Sequence, residues 1–162
     1  MRTDMNKIEF NTQICTTVEQ SKRLLELGLK PETSDMHYVR KTIDAMGNHI
    51  DDDFKEPRYG NVNSKYAKYA VMNFSNYETL PAWSLHRLIE MLPDKIEMIS
   101  CSMYIGYSVP KFDKNSISYI DMLGCSKVFN EKSTLYDNLI DCIEWLIKDG
   151  HFNKELLKGG NK

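Results

Sequence analysis

The chain of 162 residues is 41% apolar and 27% charged and carries a formal net charge of −2. A composition of this kind is typical of one ordinary globular domain, and the near-neutral charge excludes a strongly basic nucleic-acid-binding protein. We therefore interpret residues 1–162 as a single domain.

Neither a membrane segment nor a metal site is predicted. No run of residues approaches the 18 apolar positions of a membrane span, and the first ten residues, MRTDMNKIEF, lack the apolar core of a signal peptide. We therefore expect a cytoplasmic protein. Four cysteines lie far apart in the chain, without the close pairs that bind zinc, and are interpreted as buried free thiols. They are Cys15, Cys101, Cys125 and Cys142. No cofactor is expected.

The first predicted helix begins near Thr16 or Thr17. Both residues satisfy the capping-box pattern of a hydroxyl residue followed three positions later by Glu or Gln. The apolar side of VEQSKRLLEL then runs to Gly28, a residue suited to the left-handed position after a helix. A helix from residue 16 or 17 to residue 27 is therefore predicted.

A short helix is predicted over residues 36–46, because four apolar side chains recur at helical spacing. They are Met36, Val39, Ile43 and Met46. Residues 47–64 are rich in Asp, Asn, Gly and Pro and are predicted to form an irregular surface loop. For residues 64–74 the pattern fits either a helix or a strand, and the helix is favoured.

The phrase LPAWSLHRLIEMLP, residues 80–93, predicts a helix with a defined beginning and end. Ser84 is placed as its N-cap, and Trp83 and Leu88 occupy the two positions of a hydrophobic staple. Pro93 marks the end. His86 and Arg87 project away from the apolar stripe and are interpreted as a solvated face.

The pattern changes to alternation after Pro93, which indicates β-strands. One strand is predicted up to Val109, with Met103, Ile105, Tyr107 and Val109 on its apolar face. KFDKN, residues 111–115, predicts a hairpin turn. SISYIDML follows with Ile117, Tyr119 and Leu123 on one face, and CSKVF adds a third strand. We therefore predict an α+β fold: an antiparallel meander of about three strands with helices packed mainly on one face.

The last helix is predicted to begin near Ser133 or Thr134 and to end before Gly150. Its polar residues form one narrow stripe, and the rest of its circumference is apolar. The stripe consists of Asp137, Asp141, Glu144 and Lys148. Such a helix is expected to pack against the meander on one side and against another helix on the other.

The only candidate binding residues lie between residues 58 and 69, where basic and aromatic side chains alternate. They are Tyr59, Lys65, Tyr66, Lys68 and Tyr69. Mixtures of this kind bind single-stranded nucleic acid, since cations contact phosphates and rings stack on bases. The acidic run 51–53 lacks the ligand spacing of a calcium loop and is interpreted as solvated.

No catalytic residue is predicted. The sequence has none of the nucleophile, zinc, phosphate-loop or dinucleotide motifs. A cysteine-dependent enzyme stays open as a third hypothesis, because Cys15 or Cys125 could meet a histidine in the fold.

Three phrases resemble a set of small uncharacterised bacterial proteins associated with prophages and other mobile elements. The phrases are TTVEQSKRLLELGLKPETSDMHY, LPAWSLHRLIEMLP and LYDNLIDCIEWLIKDGHF, and together they cover roughly a third of the chain. The resemblance implies an accessory protein of a mobile element that acts on a host or phage partner inside the cell. It assigns no activity and no site residue.

The leading hypothesis is therefore a non-enzymatic accessory protein that binds another protein, and the nine tyrosines agree with it because tyrosine is enriched at interfaces. The alternative is a weak single-stranded nucleic-acid binder that uses residues 58–69.

Overall fold

The computed structural model describes residues 13–44, 46–62, 76–99, 105–124 and 126–159. Its helices are α1 (Val18–Glu26), α2 (Leu85–Glu90) and α3 (Leu135–Lys148), and short 3-10 turns lie at Pro31–Thr33 and Lys154–Leu156. Its strands are β1 (Met36–Lys41), β2 (Arg58–Tyr59), β3 (Tyr77–Ala82), β4 (Ile96–Ile99), β5 (Ile105–Phe112), β6 (Ile117–Ile120) and β7 (Ser126–Phe129). The predicted α+β class is confirmed. Among the described residues no helix has the length and apolar character needed to cross a membrane.

Helix α1 begins after Thr17, which settles the choice between the two threonines. The Thr17 hydroxyl accepts from Gln20 N, and the Gln20 side chain accepts from Thr17 N in return. Thr16 has another role: its buried hydroxyl accepts from Trp83 N at 3.0 Å and bonds to the Ser21 hydroxyl. Gly28 follows the helix with φ +94°, as predicted.

The predicted helix over residues 36–46 is wrong, because β1 occupies most of that segment. All six of its residues pair antiparallel with β3, from Met36 opposite Ala82 to Lys41 opposite Tyr77. The helical spacing of the apolar residues was coincidental. In the sheet, Met36 packs against Ala82 and Cys15 in a small core of its own. Tertiary pairing thus overrides the local pattern.

Helix α2 has the predicted cap and staple. Ser84 Oγ accepts from Arg87 N, and Trp83 and Leu88 are both fully buried in the main core. The helix ends at Glu90, before Pro93. The predicted solvated face holds only for His86, which is 82% exposed. The Arg87 side chain is instead held against the protein, because its Nε donates to the Thr33 carbonyl at 2.7 Å.

The prediction of one meander of about three strands is wrong in number, because the chain forms two antiparallel sheets. One has three strands in the order β2-β1-β3, and the other has four in the order β4-β5-β6-β7. The strand predicted to end at Val109 is in fact two strands, β4 and β5, which pair with each other. Residues 100–104, which include Met103, lie outside the described part of the chain. A hairpin turn is present near its predicted place, but it spans residues 113–116, because Lys111 and Phe112 belong to β5. Strands β6 and β7 lie within the two segments predicted as the following strands.

The faces of β5 are reversed relative to the prediction. Ser108 is fully buried, whereas Tyr107 and Val109 lie on the exposed side. The prediction for β6 is correct, since Ile117 and Tyr119 are fully buried beneath α3. Leu123, predicted on the same face, lies beyond β6 and is exposed.

Helix α3 is the centre of the main core, as predicted. It begins after the N-cap Thr134, contacts β6 and β7 on one side, and contacts α1 and α2 on the other. Its polar stripe faces α1, where Arg23 lies 2.7 Å from Asp141 and also contacts Glu144. Ile143 is fully buried.

Asn138 on α3 connects two loops to the helix. Its side chain is 1% exposed, and Nδ2 donates to the carbonyls of Asn115 and Lys132 at 2.6 and 3.0 Å. Its Oδ1 accepts from Lys132 N at 3.0 Å. One buried amide thus fixes the turn between β5 and β6 and the segment that leads into α3.

The segment predicted as an irregular loop, 47–64, is described as far as residue 62. It contains the two-residue strand β2 and is otherwise without regular secondary structure in that part. The ambiguous residues 64–74 lie outside the described part of the chain.

Candidate interaction surface

Of the five predicted binding residues, only Tyr59 lies in the described part of the chain. Tyr59 is on β2, next to the exposed Arg58, and its side chain is 84% exposed. The other four predicted residues lie outside the described part. They are Lys65, Tyr66, Lys68 and Tyr69. The structure therefore provides one exposed ring and one exposed cation of the predicted nucleic-acid site.

The two described thiols are buried. Cys15 is 2% exposed, its Sγ lies 3.6 Å from the Tyr38 hydroxyl, and burial raises the pKa of its thiol. Burial also raises the pKa of the Cys142 thiol, to about 12. A reactive cysteine needs the opposite, an accessible thiol with a lowered pKa, so Cys15 does not fit the enzyme hypothesis. Cys101 and Cys125 lie outside the described part of the chain.

Three of the four described histidines have separate side-chain contacts, and His49 is exposed. His37 is buried on β1, and its Nδ1 lies 2.7 Å from the Gly60 carbonyl. His86 Nε2 lies 3.0 Å from Glu90, and the His151 ring packs 5.9 Å from the Trp145 ring. No group of three or more His, Cys, Asp and Glu side chains in the described residues is arranged to bind a metal ion.

A shallow groove of about 200 Å³ lies between α3 and β7. Two of its polar lining residues already have partners, because Asp141 binds Arg23 and the Asn138 amide is bonded to two loops. It is also lined by Phe129, whose buried ring lies 5.6 Å from the Trp145 ring, centroid to centroid. We therefore interpret the groove as the packed border between helix and sheet.

The outer face of the four-stranded sheet carries an apolar patch. On the inner face α3 packs against β6 and β7. The strand register places Tyr107, Val109 and Ile120 next to one another on the opposite face, with Val128 diagonal to Ile120 on that same face. Three of these side chains are exposed by 46% to 57%, and Ile120 is half-buried. We call these four residues the outer patch. Exposed side chains that form a contiguous apolar group on a sheet are typical of an interaction surface.

The turn between β6 and β7 adds two more exposed apolar side chains at the end of β6. Met122 is fully exposed and Leu123 is 63% exposed. The turn is held in place by Asp121, whose Oδ1 accepts from Leu123 N at 2.9 Å and whose carbonyl accepts from Gly124 N at 3.1 Å. Gly124 has φ +81°, which suits glycine. The two side chains are thus displayed by a fixed backbone.

Among the residues that the structure describes, few charged side chains lie at the outer patch. Lys95 Nζ is 4.9 Å from the centroid of the Tyr107 ring, and Glu97 is the register partner of Tyr107 on β4. Lys111 lies on the same face as Val109, opposite Ser118. Ser118 and Ser126 also lie on this face, beside Val128 and Ile120. The surface is therefore apolar around Val109 and Ile120, with isolated polar and charged residues next to them, which resembles the usual composition of a protein interface.

Sequence reasoning missed the outer patch because it assigned Tyr107 and Val109 to the core. The alternation itself was correct, but it does not say which face is inside. A signal was present in Gly106 and Ser108, since small residues on a strand are compatible with close packing under a helix. The turn residues Met122 and Leu123 were attributed to the end of a strand.

No known protein family, curated protein or solved structure matches this chain.

Proposed function

We propose that this chain is a non-enzymatic accessory protein that binds a protein partner through the outer patch and the adjacent Met122–Leu123 turn. The observation that carries the proposal is the placement of three large apolar side chains on the open face of a sheet whose opposite face supplies the core residues Ile117, Tyr119 and Phe129. Exposing such a group to water costs free energy that contact with a partner would recover.

The chemistry of the described residues supports binding over catalysis. Both described thiols are buried with raised pKa values, and three of the four described histidines are paired or packed. The resemblance to proteins of prophages and mobile elements is the basis for proposing a partner of host or phage origin inside the cell.

Site-specific photo-crosslinking in the native host tests the proposal. A benzoyl-phenylalanine placed at Val109 or Val128 is expected to crosslink one discrete protein, and the same group at Glu26 is the matched control. Glu26 is exposed on α1, which contacts α3 on the side away from the sheet. Crosslinks of equal yield and identity from Glu26 and from Val109 would contradict the proposal.

Affinity measurements with the purified crosslinked partner complete the test. Val128→Asp places a charge in the patch and is expected to weaken binding at least tenfold, because a desolvated unpaired charge is unfavourable in an apolar interface. Unchanged affinity for both Val128→Asp and Val109→Asp would exclude the outer patch.

The second candidate function is weak binding of single-stranded nucleic acid through residues 58–69. The exposed neighbours Arg58 and Tyr59 on β2 favour it, since they combine a cation with a free ring. Binding of a labelled oligonucleotide is then expected to weaken steeply with salt and to be lost in Tyr59→Ala. The absence of any mobility shift at low salt would rule out this function.

A further inference from the structure

The edge of β1 that faces away from β3 is covered mainly by irregular chain. Strand β2 pairs only with its first two residues, as Arg58 opposite His37 and Tyr59 opposite Met36. Farther along, residues 49–57 run antiparallel beside β1, and we call them the strap. The strap begins at a bridge between His49 and Ile43 and leads directly into β2.

The strap is longer than the strand edge it covers. From His37 to Ile43 the β1 segment advances six residues, whereas from His49 to Arg58 the opposing chain advances nine. Three residues are therefore in excess and must bulge out of the ladder. The acidic run Asp51, Asp52 and Asp53 falls within this length.

Because of this mismatch, the strap satisfies the strand edge poorly. Its described backbone bonds to this edge are Ile50 N to the Thr42 carbonyl at 2.9 Å and Lys55 N to the Val39 carbonyl at 3.2 Å. A regular antiparallel partner would bond both the N–H and the C=O of every second residue. An edge covered in this way is protected against strand pairing without being fully paired.

Arg40 connects the strap to the sheet. Its Nε and one terminal nitrogen lie 2.7 and 2.6 Å from Glu78 on β3, which fixes the guanidinium on the sheet. The guanidinium also contacts two residues of the strap. One terminal nitrogen lies 3.4 Å from Asp51 Oδ1, and the central carbon lies 4.9 Å from the centroid of the Phe54 ring. The Phe54 ring also meets Tyr38 edge-on, with centroids 6.3 Å apart.

These contacts make a weak attachment. The Asp51 side chain is 99% exposed, and ion pairs with such groups contribute little. The two backbone bonds lie at the surface, and most strap residues are exposed. Segments with few buried apolar contacts and exposed hydrogen bonds open at a small fraction of the global unfolding free energy.

We propose that the strap is an autoinhibitory segment that opens at the Arg40 contact and frees the edge of β1, from Tyr38 to Thr42, to accept an extended peptide as an added strand. The strap itself shows that this edge accepts antiparallel chain. A partner with regular alternation would make the backbone bonds that the bulged strap leaves out, and strand addition of this kind is a common mode of peptide recognition.

Amide hydrogen exchange tests the opening step. The amides of Ile50 and Lys55 are expected to exchange at least tenfold faster than those of the β1–β3 ladder. Arg40→Gln is expected to accelerate them further and to leave the β5–β6 ladder unchanged. Arg87→Gln is the matched control, since Arg87 is another half-buried arginine paired with a glutamate. Equal protection of the strap and the β1–β3 ladder would refute the opening.

A peptide-binding experiment tests the second step. The probe is a synthetic octapeptide of alternating valine and threonine with lysine at each end, and the receptor is a variant with residues 49–57 replaced by a nine-residue Gly-Ser linker. The peptide is expected to bind this variant at least tenfold more tightly than the intact chain. The same peptide with alternate backbone N-methyl groups is expected not to bind, because it cannot form the ladder.

The Arg40→Gln variant is a second receptor, which keeps the whole strap. Its affinity for the peptide is expected to lie between that of the intact chain and that of the linker variant. Absence of binding to both variants, or equal affinity for the variants and the intact chain, would overturn strand addition at this edge. Equal binding of the N-methylated peptide would also overturn it.

Discussion

The indole nitrogen of Trp83 donates to the hydroxyl of Thr33 at 3.0 Å, and both residues are buried. The same hydroxyl donates to the Lys30 carbonyl at 2.7 Å. The Thr33 hydroxyl therefore provides the buried acceptor for the Trp83 indole N–H and also stabilises the 3-10 turn that leads to β1.

Thr33→Val is expected to lower the free energy of unfolding by about 1–3 kcal/mol, because the buried indole N–H loses its acceptor while the volume stays nearly constant. Urea denaturation followed by tryptophan fluorescence measures the change. Thr79→Val on β3 is the control and is expected to stay within about 0.5 kcal/mol of the parent. Equal effects of the two substitutions would show that the indole bond contributes nothing.

Ile143→Asp is expected to unfold the domain. Ile143 is fully buried at the centre of α3, and an unpaired buried charge costs several kcal/mol, on the order of the total stability. Circular dichroism of the purified variant is the measurement. Val128→Asp introduces the same charge on the outer face and is expected to fold normally. A cooperatively melting Ile143→Asp protein would mean that the core lies elsewhere.

Stability is expected to fall at alkaline pH because of two buried tyrosines, Tyr119 and Tyr136, and the half-buried Tyr38. Burial raises the pKa of Tyr136 to about 12 and raises the pKa values of Tyr38 and Tyr119 still further. In the unfolded chain tyrosine ionises near about pH 10. As the pH rises, the tyrosines of the unfolded chain therefore lose their protons before those of the folded protein. The contribution of these groups to the free energy of unfolding is complete below about pH 10 and is lost as the pH rises through 12.

The expected slope between pH 10 and 12 is at most about 1.4 kcal/mol per pH unit for each tyrosine. Urea titrations at several pH values measure it, and Tyr136→Phe is expected to give a shallower slope. If the free energy of unfolding of Tyr136→Phe falls with pH as steeply as that of the unsubstituted protein, Tyr136 does not contribute to the alkaline loss of stability.

The described thiols are expected to resist modification. In a Cys101→Ser/Cys125→Ser variant, Cys15 and Cys142 are the remaining thiols, and both are buried with raised pKa values. Labelling by a chromogenic disulfide reagent at pH 8 is expected to require unfolding, so its rate should follow urea concentration. Rapid labelling of one thiol in the folded protein would revive the cysteine-enzyme hypothesis.

The sequence predicted α1, α2 and α3 well because their ends are encoded locally, although the helix predicted over residues 36–46 is a strand in the structure. Thr17, Ser84 and Thr134 each accept from the backbone amide three residues ahead, and a pattern of three residues is enough to identify such a cap. The sheets were predicted less well. Pairing of β1 with β3 joins positions about 40 residues apart, such as His37 and Pro81, and no local pattern encodes it.

The candidate surface was not predicted from the sequence. Alternation identified β5 as a strand, but the side of the sheet on which α3 packs decides whether Val109 is inside or outside. That choice depends on the buried Ser108 and on the contact of α3 with β6 and β7. Of the predicted basic and aromatic site, Tyr59 is exposed as expected, and the remaining residues lie beyond the part of the chain that the structure describes.

The Asn138 amide, with its bonds to Asn115 and Lys132, gives the molecule a mechanical link between its hairpin and its final helix. Any displacement of the hairpin tip must be transmitted to the first turn of α3 or must break a buried bond. A spectroscopic label at Lys114, which is exposed beside this joint, would therefore report strain arising at either place.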